Sequence, residues 1–120
     1  MKFLAEFLGT FFLVIVVVGS GIMAENLSNG NLAIALLGNT IATGAILYVI
    51  IKMFAPISGA HFNPCVSLVF YLKNELSKID LYKYTILQIV GGLIGIISAH
   101  YIFQLKFIKY LQISEVNYLF

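Results

Sequence analysis

Charges are sparse along the chain, and long apolar stretches lie between them. Phe7 to Ala24 carries no charge, and Lys2 and Glu6 precede it. A polar turn, Glu25 to Asn31 (ENLSNGN), follows. Leu32 to Ile51 is apolar except for Asn39, Thr40 and Thr43, and Lys52 closes it. Lys73 to Lys83 is charged, and Tyr84 to Phe103 is uncharged apart from His100. A hydrocarbon core of about 30 Å is crossed by about 20 helical residues. The pattern therefore predicts three spanning helices, over residues 3–24, 32–54 and 82–104. The first run has an alternative reading as a cleaved leader ending near Ala24. Against that, a leader's apolar region is usually about 7–15 residues, and further spans follow.

The segment between the second and third spans breaks the pattern. Pro56 and Gly59 mark residues 55–63 as irregular backbone, while Pro64 to Leu72 is apolar. As a helix the latter is about 13.5 Å long, roughly half the hydrocarbon thickness. It is too short to span and too apolar for water. The pattern predicts a re-entrant loop, with Ala55 to Phe62 entering extended and a half-helix over 64–72 returning. Asn63-Pro64 suits its start, because Asn is a preferred N-cap and Pro fits the first helical position. The cap occupies the amide oxygen of Asn63 and leaves its NH₂ as an oriented donor. The positive end of the helix dipole points at the same place.

Nonhelical backbone at that depth must be buried in protein or line a watery cavity. Ser58, Gly59 and Ala60 are small, His61 and Asn63 are polar, and backbone carbonyls there can form a ladder of acceptors. A donor, acceptors and a positive field suit an uncharged polar solute and repel cations. A proline-kinked hairpin with no conduit is the alternative left open by the residues alone.

Composition agrees with a membrane protein. The chain is 61% hydrophobic and 10% charged, against about 45–50% and about 25% in soluble domains. A net charge of +2 with no basic patch argues against a nucleic-acid partner. Cys65 is the one cysteine, so no internal disulfide forms, and no Cys/His cluster has zinc spacing. His61, His100 and Cys65 show no nucleophile–base spacing, so neither an enzyme, a metal site nor a cofactor is expected. Lys2, Lys52, Lys73, Lys78 and Lys83 fall on one side if the short segment dips and returns, and Lys106 and Lys109 on the other. The positive-inside rule then places the N-terminus in the cytoplasm.

SGAHFNPCV (Ser58 to Val66) resembles the SGxHxNPA signature of the aquaporin and glycerol-facilitator family, the major intrinsic proteins. AEFLGTFFLV (Ala5 to Val14) and QIVGGLIG (Gln88 to Gly95) resemble that family's first and third spans. The resemblance covers residues 3–103. It implies an all-α membrane fold of three transmembrane helices and one re-entrant half-helix, equivalent to one half of an inverted-repeat channel. It also implies passive transport of water or small neutral solutes such as glycerol. By the same resemblance Asn63 is the pore asparagine, and His61 is a pore-facing histidine with Gly59 and Ala60 beside it. Glu6 anchors the re-entrant loop through backbone N–H groups. Pro64 and Cys65 start the half-helix, and Gly91, Gly92 and Gly95 are close-packing glycines.

Two positions depart from the family's usual residues. Cys65 stands where alanine is common; a thiol at a helix N-terminus is activated, although a small packing residue is the blander role. Thr43 lies where the family forms its selectivity filter and where strict water channels carry an aromatic ring. A threonine implies a wider filter that admits glycerol-like solutes or neutral metalloid hydroxides, the alternative being a helix-facing threonine. Residues 1–103 are thus expected to form a half-channel repeat in the bilayer, here the cell inner (plasma) membrane. They carry no second Asn-Pro and no filter arginine. A second half-channel or full-length subunits are expected as partners, the resemblance implying a tetramer. The alternative is a truncated, nonconducting fragment that at most associates with other membrane subunits. Residues 104–120 read as a tail of unclear role.

Overall fold

In a computed structural model of the protein, residues 1–104 are described. They form four α-helices: α1 (Lys2–Leu27), α2 (Leu32–Ser58), α3 (Pro64–Leu72) and α4 (Lys78–Ile102). α1, α2 and α4 are long and apolar enough to cross a membrane. α3 has nine residues and is not. The tail expected over 104–120 lies, apart from Gln104, outside the described residues, as do Lys106 and Lys109.

α1 is the central element and packs against both other long helices. It runs antiparallel to α2: Ser20 donates to Asn39 near one end, and Glu6 accepts from Ser58 near the other. It runs parallel to α4. Lys2 pairs with Asp80 at 2.7 Å, Phe7 lies against Gly91, Phe11 against Gly95 and Phe103 against Gly19. The start of α1, the end of α2 and the start of α4 therefore share one end of the bundle.

The inside of this bundle is small and polar, and its outside is greasy. α4 buries Tyr84, Gln88, Gly91, Gly95 and Ala99, spaced three and four apart on one face. α1 buries Ala5, Glu6, Gly9, Thr10 and Gly19. Leu36, Leu37, Ile86, Leu93 and Ile97 are exposed. In water this arrangement would be inside out. In lipid, where apolar tails solvate leucine as well as another leucine does, helices associate through close backbone approach and polar contacts.

Each helix boundary has a local cause. Asn31 caps α2, its side chain accepting from the N–H groups of Ala33 and Ile34. Ser77 caps α4 by accepting from Asp80 N–H, so this helix starts four residues before the expected 82 and takes the charged turn into its first turn. α1 continues to Leu27, leaving a turn shorter than Glu25–Asn31.

The larger difference is at the end of α2. The extended entry expected from Ala55 is helical through Ser58, with Pro56 inside the helix. Pro56 removes one backbone donor, but the last turn stays wound because Ser58 Oγ is held by Glu6 Oε1 at 2.6 Å. Gly59 then ends the helix in the left-handed conformation at φ 90°, its N–H on Ala55 O. Only residues 59–63 are irregular.

The glycines of α4 differ in what they permit. A Cβ at Gly91 would lie 2.6 Å from Phe7 O, and one at Gly95 2.9 Å from Phe11 O. Both would meet rigid helix backbone. A Cβ at Gly92 meets only side-chain methyls at 3.7 and 3.9 Å. Gly91→Ala is therefore expected to destabilise by about 1–3 kcal/mol through overpacking. Gly92→Ala is expected to be neutral or to stabilise by up to about 1 kcal/mol through helix propensity. Thermal unfolding of the two variants in detergent checks the contrast.

Candidate functional site

The site is organised around one buried carboxylate. Glu6 has no solvent-exposed surface. Its Oε1 accepts from Ser58 Oγ at 2.6 Å and His61 N–H at 3.0 Å. Its Oε2 accepts from Phe62 N–H at 2.7 Å and Gln88 Nε2 at 2.8 Å. An isolated carboxylate in a low-dielectric interior is very costly. Four donors from the end of α2, the following loop and α4 offset that cost.

The loop they hold is strained. Ala60 and Phe62 have φ of 53° and 50°, left-handed values that cost an L-residue about 1–2 kcal/mol each. Two further contacts fix it. Ser58 Oγ accepts from Ala60 N–H at 3.1 Å, and Tyr84 OH donates to Ser58 O at 2.8 Å. Phe62, 4% exposed, packs its ring against α1 where Gly9 has no side chain; a Cβ at Gly9 would overlap the ring's edge.

Anchoring the N–H groups fixes the carbonyls too. Among the described residues no peptide bond is cis, so each C=O there points opposite to the N–H of the same peptide plane. Turning His61 N–H and Phe62 N–H onto Glu6 turns Ala60 O and His61 O away from it. Neither carbonyl, nor those of Gly59 and Phe62, accepts a hydrogen bond among the described residues. At the end of this strip stands Asn63, exposed. Its Oδ1 accepts from Cys65 N–H at 2.8 Å, and its NH₂ makes no hydrogen bond among the described residues. The arrangement is a short row of acceptors ending in a donor at the start of α3.

The remaining candidates fall in three places. The His61 ring is 8% exposed, stacked on Phe70 at 4.4 Å with Tyr84 edge-on at 5.3 Å. Cys65 is exposed beside Pro64. Both line a groove of about 400 Å³ with Leu68, Leu81, Tyr82 and Thr85. Thr43 is separate from the loop: half-buried on α2, its Oγ1 lies 3.5 Å from Asn39 Oδ1, which also accepts from Ser20 at 2.9 Å. Among the described residues no group of three or more His, Cys, Asp or Glu is placed to hold a metal ion.

A family model for the major intrinsic proteins matches residues 1–117. The chain belongs to this family. It is 54% identical over 101 residues to an aquaglyceroporin, AqpS, of Rhizobium meliloti, covering 84% of this chain and 43% of that protein. It is 38% identical over 92 residues to aquaporin Z of Brucella melitensis, covering 77% and 40%. It is 37% identical over 94 residues to a glycerol uptake facilitator protein-like 6 of Lactiplantibacillus plantarum, covering 78% and 40%. The chain thus spans less than half the length of these curated relatives. The family comprises water and glycerol channels, which are transporters rather than enzymes, and the three long apolar helices make this member an integral membrane protein.

Reading the sequence of this family member singled out Glu6, His61 and Asn63 but missed part of what surrounds them. Ser58, Ser67, Tyr84, Gln88 and Gly9 all belong to the same cluster. Gln88 had a signal. It is a polar side chain in a span, three residues before Gly91, on the face where α4 comes closest to α1. Glu6→Gln keeps the shape but turns an amide NH₂ toward groups that are themselves donors. At least one backbone N–H then loses its acceptor, at a cost of about 1.5–3 kcal/mol. Faster hydrogen exchange at the His61 and Phe62 amides, with α1 and α4 amides unchanged, is the expected result.

Proposed function

We propose that residues 1–104 form one wall of a passive pore for water or small uncharged solutes such as glycerol. The observation that carries this reading is the strip itself. Among the described residues Gly59 to Phe62 offer carbonyls without partners and Asn63 offers an NH₂ that makes no hydrogen bond, in a protein whose outer surface is built for lipid. Unpaired backbone in hydrocarbon costs several kcal/mol per group, which supports a strip turned toward a polar lumen rather than toward lipid. A row of acceptors beside a donor lets a hydroxylic molecule exchange one hydrogen bond for the next. The positive end of α3 disfavours cations at the same point.

The complementary wall comes from a second half-channel or from full-length subunits, and the assembled pores form a tetramer. The lysines at the shared end of α1, α2 and α4 support a cytoplasmic N-terminus by the positive-inside rule, in the plasma membrane. Thr43 lies on the other half of the bundle and forms part of the constriction; its small side chain leaves room for a polyol. The second reading is a nonconducting fragment. It is supported by the described residues supplying one re-entrant half-helix and one wall of a pore.

Vesicles holding the chain, alone and with a complementary half, separate the two readings. Osmotic shrinkage in water and re-swelling in glycerol, faster than in empty vesicles, is expected when both halves are present. No increase in either preparation supports the fragment. In conducting vesicles Thr43→Phe is expected to lower glycerol flux several-fold more than water flux, and an unchanged ratio counts against the filter role.

Cys65 supplies an independent reporter. A mercurial is expected to block flux when the thiol borders the lumen, and Cys65→Ala to abolish the block with basal flux retained. Equal inhibition of both proteins would show that the reagent acts elsewhere.

A further inference from the structure

We infer that His61 is held in one tautomer, with Nδ1 bare and the proton on Nε2, by a chain of hydrogen bonds that starts at Glu6. The argument follows donors and acceptors through three buried side chains. Glu6 Oε2 only accepts, so the Gln88 amide must turn its NH₂ toward it, at 2.8 Å. The opposite rotamer would set an amide oxygen against a carboxylate oxygen at the same distance. This choice leaves Gln88 Oε1 buried without a hydrogen-bond partner among the described residues, a cost of about 1–3 kcal/mol. That cost indicates how strongly Glu6 dictates the orientation.

The second hydrogen on Gln88 Nε2 is then given to Ser67 Oγ at 3.0 Å. Ser67 has no exposed surface, so its own hydroxyl hydrogen needs a protein acceptor. Gln88 presents only donors there. The one other group within hydrogen-bonding distance of Ser67 Oγ among the described residues is His61 Nδ1, at 3.0 Å. Ser67 therefore donates to Nδ1, and Nδ1 carries no proton.

The remaining ring nitrogen is left as a donor. Phe70 and Tyr84 cover the ring's flanks. Nε2 makes no hydrogen bond among the described residues and lies beside Gly59, where an added Cβ would come within 3.1 Å of it. Gly59 is itself exposed. The strip of carbonyls thus begins, as it ends, beside a fixed N–H donor: His61 Nε2–H near Gly59 and the Asn63 NH₂ at the start of α3. That solute oxygens meet both donors rests on the pore reading above; the tautomer does not. Ser67 and Gln88 are positioning residues in this account, and they touch no solute.

The test is nitrogen NMR of the full chain in lipid vesicles at neutral pH, with ¹⁵N-histidine and His100→Gln to leave one histidine. His61 Nδ1 is expected as an unprotonated, hydrogen-bonded ring nitrogen and Nε2 as a protonated one. Ser67→Ala should shift the Nδ1 resonance because its donor is gone, and Ser67→Thr should restore it. A proton on Nδ1 in the otherwise wild-type chain overturns the inference, as does an Nδ1 resonance unmoved by Ser67→Ala. Neither outcome depends on whether the vesicles conduct.

Discussion

The structure depends on a single buried negative group with four donors around it. Glu6 could not remain in the bundle interior unless Ser58, His61, Phe62 and Gln88 all reached it. The dependence is mutual. The loop at residues 59–62 could not keep its left-handed residues without a partner strong enough to hold them. The end of α2, the loop and the middle of α4 are therefore tied to one point on α1. Removing any one donor loosens the others, as expected for a buried polar network.

Close approach of the helix backbones is the second requirement. α4 reaches Glu6 through a glutamine side chain because Gly91 and Gly95 let its backbone lie against carbonyls of α1. Phe62 fills the space that Gly9 leaves. In a membrane this packing replaces the hydrophobic effect as the cohesive term between helices. It explains why small residues line the inside and leucines and isoleucines the outside.

Much of this was legible in the chain. Uncharged runs showed the three long helices, because lipid tolerates few charges along a span. The nine residues from Pro64 to Leu72 showed the short one, since their length fits neither a span nor a surface helix. Asn63-Pro64 marked its start by cap chemistry that is local and so readable. The end of α2 was not legible: Pro56 signals a break, and the contact that keeps Ser58 helical comes from Glu6, fifty-two residues away. Charges in the first turn of α4 hid its start for a similar reason, Asp80 being neutralised by Lys2 across the bundle. The cluster of Ser67, Tyr84 and Gln88 is a tertiary fact, and no spacing in the sequence joins Ser67 to Gln88.

The geometry of the loop links stability to function through the peptide bond itself. A trans peptide holds its N–H and C=O on opposite sides. A carboxylate that gathers two consecutive N–H groups on one face thereby sets two carbonyls out on the other. Glu6 thus does more than hold the loop at a given depth. By drawing in the N–H groups of His61 and Phe62 it aims the oxygens of Ala60 and His61 outward. The same carboxylate, through Gln88 and Ser67, also determines which nitrogen of His61 can donate. A buried anchor on α1 in this way prescribes both the acceptors and one of the donors on the strip that we assign to the lumen, while remaining out of reach of any solute.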